Sequence, residues 1–161
     1  MFVGFNACFG FRRPQLSEFW SKKKLHEMNE EEWESLCDGC ARCCLHKFEE
    51  VQTKNFFYTS VVCKYLDQSS CSCSEYLRRE KLVPNCVKMT SANLETLKWM
   101  PSTCAYRKIS EGKTLDWWHH LISGSRATVH QAGISVKEKC VSELHVHADD
   151  IEDQKVHWVH P

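Results

Sequence analysis

Four cysteines crowd into one short stretch, Cys37-x2-Cys40-x2-Cys43-Cys44, and five more follow at Cys63, Cys71, Cys73, Cys86 and Cys104. A C-x2-C step in a turn lets two thiolates reach one ion, because the chain reverses between them. Free amides in such a turn can also hydrogen-bond the sulfurs, and both zinc sites and iron–sulfur clusters use this knuckle. Two overlapping steps with a fourth cysteine beside them make metal binding the chemistry to expect. The Cys43-Cys44 pair restricts how it is done. Successive side chains diverge by about 180° in a strand and about 100° in a helix. The two therefore serve neighbouring sites, or one ligates while the other reacts. A closed all-thiolate zinc site takes four ligands. The nine cysteines then allow two such sites with one thiol over, or one cluster plus one zinc. A bacterial ferredoxin pattern needs a cysteine followed by proline after three more residues. Lys47 stands at that position, so the ferredoxin match fails.

The setting decides how cysteines are read. Met1–Phe11 is apolar but is interrupted by Asn6 and two glycines, and Arg12 and Arg13 follow the run instead of preceding it. That is not the order of a secretory signal, so a cytoplasmic location is expected. Thiols stay reduced there, and clustered cysteines mean metal or redox work. The total of eleven is odd, which also rules out complete intrachain pairing. Lys plus Arg and Asp plus Glu are 21 each, and the pI is about 7.1. This balance argues against a nucleic-acid partner. No apolar stretch reaches the roughly 20 residues of a membrane span. Phosphate-binding glycine loops, G-x-S-x-G and H-E-x-x-H are all absent from the sequence, so a hydrolase or nucleotide-dependent enzyme has no support. A protein partner is compatible with this surface.

The elements that must carry the cysteines can be sketched. Asn29 and Glu32 form a capping-box pair, and Trp33, Leu36 and Cys37 fall on one face of the helix that follows. Asp38-Gly39 ends that helix. Phe56–Val62 is aromatic and β-branched and pairs with Lys47–Gln52 through Thr53-Lys54-Asn55 as a hairpin, with Cys63 at its end. Asp67–Ser74 reads as a loop holding Cys71 and Cys73. Glu75–Leu82 reads as a short helix stopped by Pro84. Thr90 caps a helix through Leu94 and Leu97, and Ser102 caps another through Tyr106 and Ile109 that ends at Gly112. Cys104 then lies in a first helical turn, where the dipole and free amides lower a thiol's pKa. Trp117–Ile122 reads as helical, and a strand is expected near Ile134–Val136.

The other candidate groups weigh less. His46, two residues past Cys44, reads as a surface or supporting histidine, with a mixed Cys/His site as the alternative. One of His119 and His120 is expected to face solvent, with Trp117 and Trp118 in the core. His145, His147, His157 and His160 are expected to be exposed on an acidic tail. Trp33, Trp99 and Trp158 read as core anchors.

Several stretches resemble the YcgN-like proteins of bacteria, within the CxxCxxCC cysteine-cluster group described as chelating zinc or iron. They are Phe19-Trp20, Glu32–Cys40, Cys43–Lys47, Phe57–Thr59, Val62-Cys63, Cys71-x-Cys73, Asn85–Lys88, Trp99–Pro101, Thr103–Arg107 and Glu111–Lys113. The resemblance runs from about Glu18 to Trp158. It includes all nine cysteines from Cys37 to Cys104 and leaves Cys8 and Cys140 outside. It implies a cytoplasmic bacterial protein with zinc or iron as cofactor, and it supplies no biological role. A flagellin lysine methylase shares the cysteine cluster, which on the cysteines alone suggests an iron–sulfur cluster as one form of the metal.

The expected molecule is a small α+β single domain over residues 18–161, mainly helical with one β-hairpin and stabilised by cysteine-bound metal. Residues 1–17 are expected to be an N-terminal extension. The expected function is binding of zinc or iron, including an iron–sulfur cluster, by nine cysteines. The alternatives are an iron–sulfur or thiol-dependent enzyme of redox or methyl-transfer type, and a zinc-structured interaction module.

Overall fold

The computed structural model describes residues 18–161. The expected extension at 1–17, Cys8 included, lies outside the described residues. Helix α1 (Phe19–Lys22) leads through a 3-10 turn (Leu25–Glu27) to α2 (Glu30–Ser35). Asn29 caps α2 as its spacing to Glu32 requires. Its Oδ1 accepts from the Glu32 amide at 2.8 Å, and the Glu32 carboxylate accepts from the Asn29 amide at 3.0 Å. A cap of this kind stabilises by about 1 kcal/mol. The helix stops at Ser35, and Gly39 takes φ +78° to turn the chain.

A 3-10 turn over Arg42–Cys44 feeds strand β1 (Leu45–Glu49), which pairs antiparallel with β2 (Phe56–Val62). This is the hairpin read from the sequence, begun two residues earlier. The stretch read as a loop holds a two-residue ladder, β3 (Leu66–Asp67) with β4 (Ser72–Cys73). Next come α3 (Arg79–Leu82), a 3-10 turn (Leu94–Thr96), α4 (Ala105–Ser110), α5 (His120–Ser123) and α6 (Thr128–Gln131). Strands β5 (Val141–Ser142) and β6 (Lys155–Val156) end the order, with 3-10 turns at Glu143–His145 and Ala148–Asp150 between them. Strand β2 is the centre of the main sheet. One edge carries β1, and the other carries β5 in parallel at Val61–Val62 and β6 antiparallel at Tyr58–Thr59. No strand forms at Ile134–Val136. The Val136 amide instead donates to the Cys40 carbonyl at 3.0 Å.

The expectation of a mainly helical domain is corrected: among the described residues, helices of all kinds make up 30 % and strands 14 %. The longest helix runs six residues, far below the roughly 12–15 at which a helix begins to hold itself in water. Packing, not propensity, must therefore hold these elements. It does so in two apolar clusters. One gathers Leu45, Tyr58, Val62, Leu66, Val136 and Val159 around the sheet, and the other gathers Phe19, Leu36, Leu94, Met100 and Tyr106 around the helices. Trp33 and Trp99 pack against the second cluster and Trp158 against the first, as expected of anchors. Trp117, expected in the core, is 64 % exposed. Among the described residues no helix is long and apolar enough to cross a membrane.

Candidate metal centre

The cysteine loop is slung between the two clusters. Leu36, 0 % exposed, anchors one end in the helical cluster, and Leu45, 1 % exposed, anchors the other in the sheet. Between them the backbone is held at almost every step. The His119 imidazole Nε2 donates to the Leu36 carbonyl at 3.0 Å, and Arg126 Nη1 donates to the Cys37 carbonyl at 3.2 Å. Buried Asp38 folds its Oδ1 back to accept from the Cys40 amide at 3.0 Å. Ala41 takes the left-handed conformation at φ +58°, which costs an L-residue roughly 1–2 kcal/mol. Arg42, 5 % exposed, donates from Nε to the Ile134 carbonyl at 2.6 Å and from Nη1 to Thr103 Oγ1 at 3.0 Å. That second bond ties the loop to the residue before Cys104. Tyr106 adds a bond from its hydroxyl to the Trp33 carbonyl at 2.9 Å, joining α4 to α2.

The ten described cysteines are all free thiols. Burial pushes the Cys37 thiol up to about 12, helped by the charges of Cys43 and Asp38. Burial likewise raises Cys40, again with Asp38 and Cys43 beside it. Cys104 rises to about 12 through burial, with Cys43 and Asp38 as its charged neighbours. This overturns the expected lowering by a helix terminus. Cys104 is itself the cap residue of α4, in place of Ser102, and burial outweighs the field of so short a helix. Cys43 alone goes down, to about 7. The adjacent Cys44 thiol favours the charged form of Cys43, and the Lys47 ammonium adds to the effect, against burial. Cys44 is raised by its pairing with Cys43, then by burial and by the charges of Cys43, Cys63 and Cys73. Cys63 and Cys86 are raised by burial, with Cys73 near both. Cys71 stands apart. Its neighbours are Lys137, Ser135 and Asp67, and its thiol faces the Gln68 carbonyl at 3.9 Å.

The structure thus brings together cysteines from five separate stretches of chain. Seven of them, Cys37, Cys40, Cys43, Cys44, Cys71, Cys73 and Cys104, wall a cavity of about 370 Å³ that Met89, Trp99 and Tyr106 also line. Cys37 and Cys43, both exposed, are among these lining residues. Among the described residues no three His, Cys, Asp or Glu side chains lie close enough to share an ion. The chemistry of the donors fits a soft metal: crowded thiols that raise one another's pKa are relieved by a cation, and one is poised to ionise near neutrality. Zinc or iron would be held by thiolates here. Zinc would supply a redox-silent cross-link, and an iron–sulfur cluster would supply one-electron chemistry.

Not all of the remaining groups follow their sequence reading. His46 is engaged by Glu143, Nε2 to Oε2 at 2.7 Å, and so belongs to the supporting structure. His119 is 2 % exposed and His120 is half-buried, so neither is the solvent-facing histidine expected. The four tail histidines are exposed as expected. Arg42, Asp38, His119 and Arg126 were missed as loop supports. Asp38 had a signal, since Asp-Gly between ligands favours an Asx turn. The others act across long sequence separations and had none. Lys47 was noticed only as the residue where a ferredoxin has cysteine. It donates to the Cys43 carbonyl at 3.1 Å and lies 4.3 Å from the Trp99 ring centre.

A small domain folded around such a loop is a cysteine-cluster domain. The CxxCxxCC family, described as "Putative zinc- or iron-chelating domain", matches residues 36–105, the span that holds all nine cysteines. The chain belongs to the UPF0260 family. It is 56 % identical over 125 residues to the UPF0260 protein of Gluconacetobacter diazotrophicus, covering 78 % of each chain. It is 48 % identical over 146 residues to that of Rhodopseudomonas palustris, covering 90 % of this chain and 86 % of the relative. It is 50 % identical over 140 residues to that of Rhizobium etli, covering 87 % and 89 %. No solved structure matches the chain.

Proposed function

We propose that this protein binds zinc or iron through the thiolates of its cysteine cluster, and that the bound metal holds the fold together. A cytoplasmic setting, which keeps the thiols reduced, is part of the same reading. The observation that carries it is the gathering of Cys37, Cys40, Cys43 and Cys44 on the Leu36–Leu45 loop around one cavity with Cys71, Cys73 and Cys104, where Cys43 is lowered to about 7 beside Cys44 and Lys47. The short elements around it rely on the packing of the two apolar clusters, and binding free energy would add to that packing as folding free energy. The test is thermal unfolding of the full chain before and after a strong chelator. Loss of the cooperative transition with the chelator, and its return when metal is restored, is the expected result. An unchanged transition contradicts the proposal.

A second reading, an iron–sulfur or thiol-dependent enzyme, is favoured by one feature. The cavity of about 370 Å³ beside the cysteines falls within the range of small-molecule sites and exceeds what an ion needs. A zinc-structured interaction module has no need of such a space.

A further inference from the structure

Lys47 stands where a C-x2-C-x2-C-x3-C pattern sets its fourth thiolate, and the fold turns that position back toward the cysteine loop. The pairing of β1 with β2 is irregular between Leu45 and Lys47. Leu45 faces Val62, and unbroken pairing would then set Lys47 opposite Ser60, but its partner is Tyr58. Such irregularities re-aim a side chain. Residues directly opposite in an antiparallel pair share a face of the sheet, so Lys47 and Tyr58 leave the hairpin on the same side. Both end on Trp99. The Tyr58 hydroxyl donates to the Trp99 carbonyl, and the Lys47 ammonium lies 4.3 Å from the ring centre. From there it also donates to the Cys43 carbonyl at 3.1 Å.

Neither partner neutralises the ammonium. Lys23, Lys54, Arg78, Arg107, Lys108 and Lys113 each pair with a carboxylate, while among the described residues none pairs with half-buried Lys47. A cation drawn out of water without an anion is costly. Cys43 and Trp99, which hold the ammonium, both line the cysteine cavity. The carboxylates on the same wall are engaged elsewhere: Asp38 accepts from the Cys40 amide and Glu34 from the Tyr76 hydroxyl. A cysteine's carbonyl oxygen and its sulfur are only a few bonds apart. The ammonium therefore stands within about 8 Å of the Cys43 sulfur, inside one screening length at physiological salt.

We propose that Lys47 is a positioning residue of the metal site, its ammonium pinned between the Cys43 carbonyl and the Trp99 ring as the fixed counter-charge to metal-bound thiolates. The proposal rests on the metal-binding reading above. Four thiolates on a divalent ion leave negative charge in excess, and so do four on an iron–sulfur cluster. A cation fixed beside them offsets that excess without occupying a coordination position. Lysine suits the task because its ammonium is a compact point charge. With the dielectric and salt screening of a half-exposed site, one unit charge at this range corresponds to about tenfold in metal affinity.

The test measures the cobalt(II) affinity of the full chain without oxygen, by competition with a chelator and the sulfur-to-cobalt absorption band. Lys47→Met keeps the stem over Trp99 without the charge, and Lys47→Gln keeps a donor without the charge. Both are expected to bind about tenfold more weakly than the wild type, and Lys47→Arg, which restores the charge, within about threefold of it. Raising the salt should narrow the gap between the wild type and Lys47→Met, which a purely structural role would leave unchanged. Neutral variants that match the wild type, a Lys47→Arg as weak as Lys47→Met, or a gap indifferent to salt overturns the counter-charge. If Lys47→Met fails to fold, Lys47→Gln carries the same comparisons. A wild type that binds no cobalt at all overturns the underlying metal-binding reading instead.

Discussion

His119 holds the entrance of the cysteine loop by donating from Nε2 to the carbonyl of Leu36, 83 residues earlier, at 3.0 Å. Its Nδ1 accepts from the Leu121 amide at 3.1 Å. A carbonyl can only accept and an amide can only donate, so these two bonds fix one neutral tautomer. A second proton on Nδ1 would point at the Leu121 N–H. Protonation of this ring and an intact loop entrance are therefore incompatible.

Acid should loosen the fold through this pair of histidines. Burial lowers His119, and it lowers His120 to about 4 with the neighbouring His119 contributing. An unfolded histidine titrates at about 6.5. Between those values the unfolded chain binds more protons, so stability falls as pH falls. The contribution is complete above pH about 6.5 and is lost progressively toward pH about 4. Denaturant midpoints across this range should drop in the wild type and drop less in His120→Leu. Thiol protonation is common to both proteins, so equal slopes would show that the histidine plays no part.

Arg42 should tolerate neither loss nor shortening. Its guanidinium spans the Ile134 carbonyl and Thr103 Oγ1 and lies 5.7 Å from the Trp158 ring centre. Removing such a donor leaves buried acceptors unpaired, at about 1–3 kcal/mol. Arg42→Lys keeps the charge but lacks the fork. Both Arg42→Ala and Arg42→Lys are expected to lose about that much stability in a denaturant titration. A Lys variant matching the wild type would show that charge alone suffices.

Ala41 is a backbone test of the same loop. At φ +58° it sits where glycine is at ease. Ala41→Gly relieves that strain but loses a buried methyl and frees the unfolded chain, terms of about 1 kcal/mol each. Its stability should lie within about 1 kcal/mol of the wild type, given the roughly 1–2 kcal/mol relieved. Ala41→Val places a β-branched residue in a conformation it avoids, and should destabilise the chain and reduce its metal content. Full metal content in Ala41→Val would mean the turn is not needed to present Cys40 and Cys43.

Cysteines inside and outside the cluster should differ sharply. Cys40, 8 % exposed in the loop, should be needed for both metal and stability, so Cys40→Ser should lose both. Cys140 only packs against the sheet cluster with its thiol 3.7 Å from Gln68 Oε1. Cys140→Ser should retain its metal and its unfolding midpoint. Equal metal content in the wild type and Cys40→Ser would remove Cys40 from the site.

Local features were legible in the sequence, and long-range ones were not. The Asn29–Glu32 cap and the Phe56–Val62 strand depend on residues a few positions apart, and both stand as read. Strands β5 and β6 are two residues each and exist only because β2 offers them an edge, so no local pattern announces them. Cys104 shows the limit at the site. Its place near a helix start was legible, but the burial that raises its thiol comes from elements elsewhere in the chain. The cysteine spacing announced metal chemistry. Which thiols are neighbours depends on the hairpin register and on Arg42, neither of which spacing contains.

The most direct measurement is the metal content per chain, with an absorption spectrum, of protein purified without oxygen. The account predicts metal in whole-number proportion to protein. It would appear as zinc in a colourless sample or as iron with sulfide and broad visible absorption in a brown one. Protein that is folded yet holds neither zinc nor iron would contradict the account at its centre.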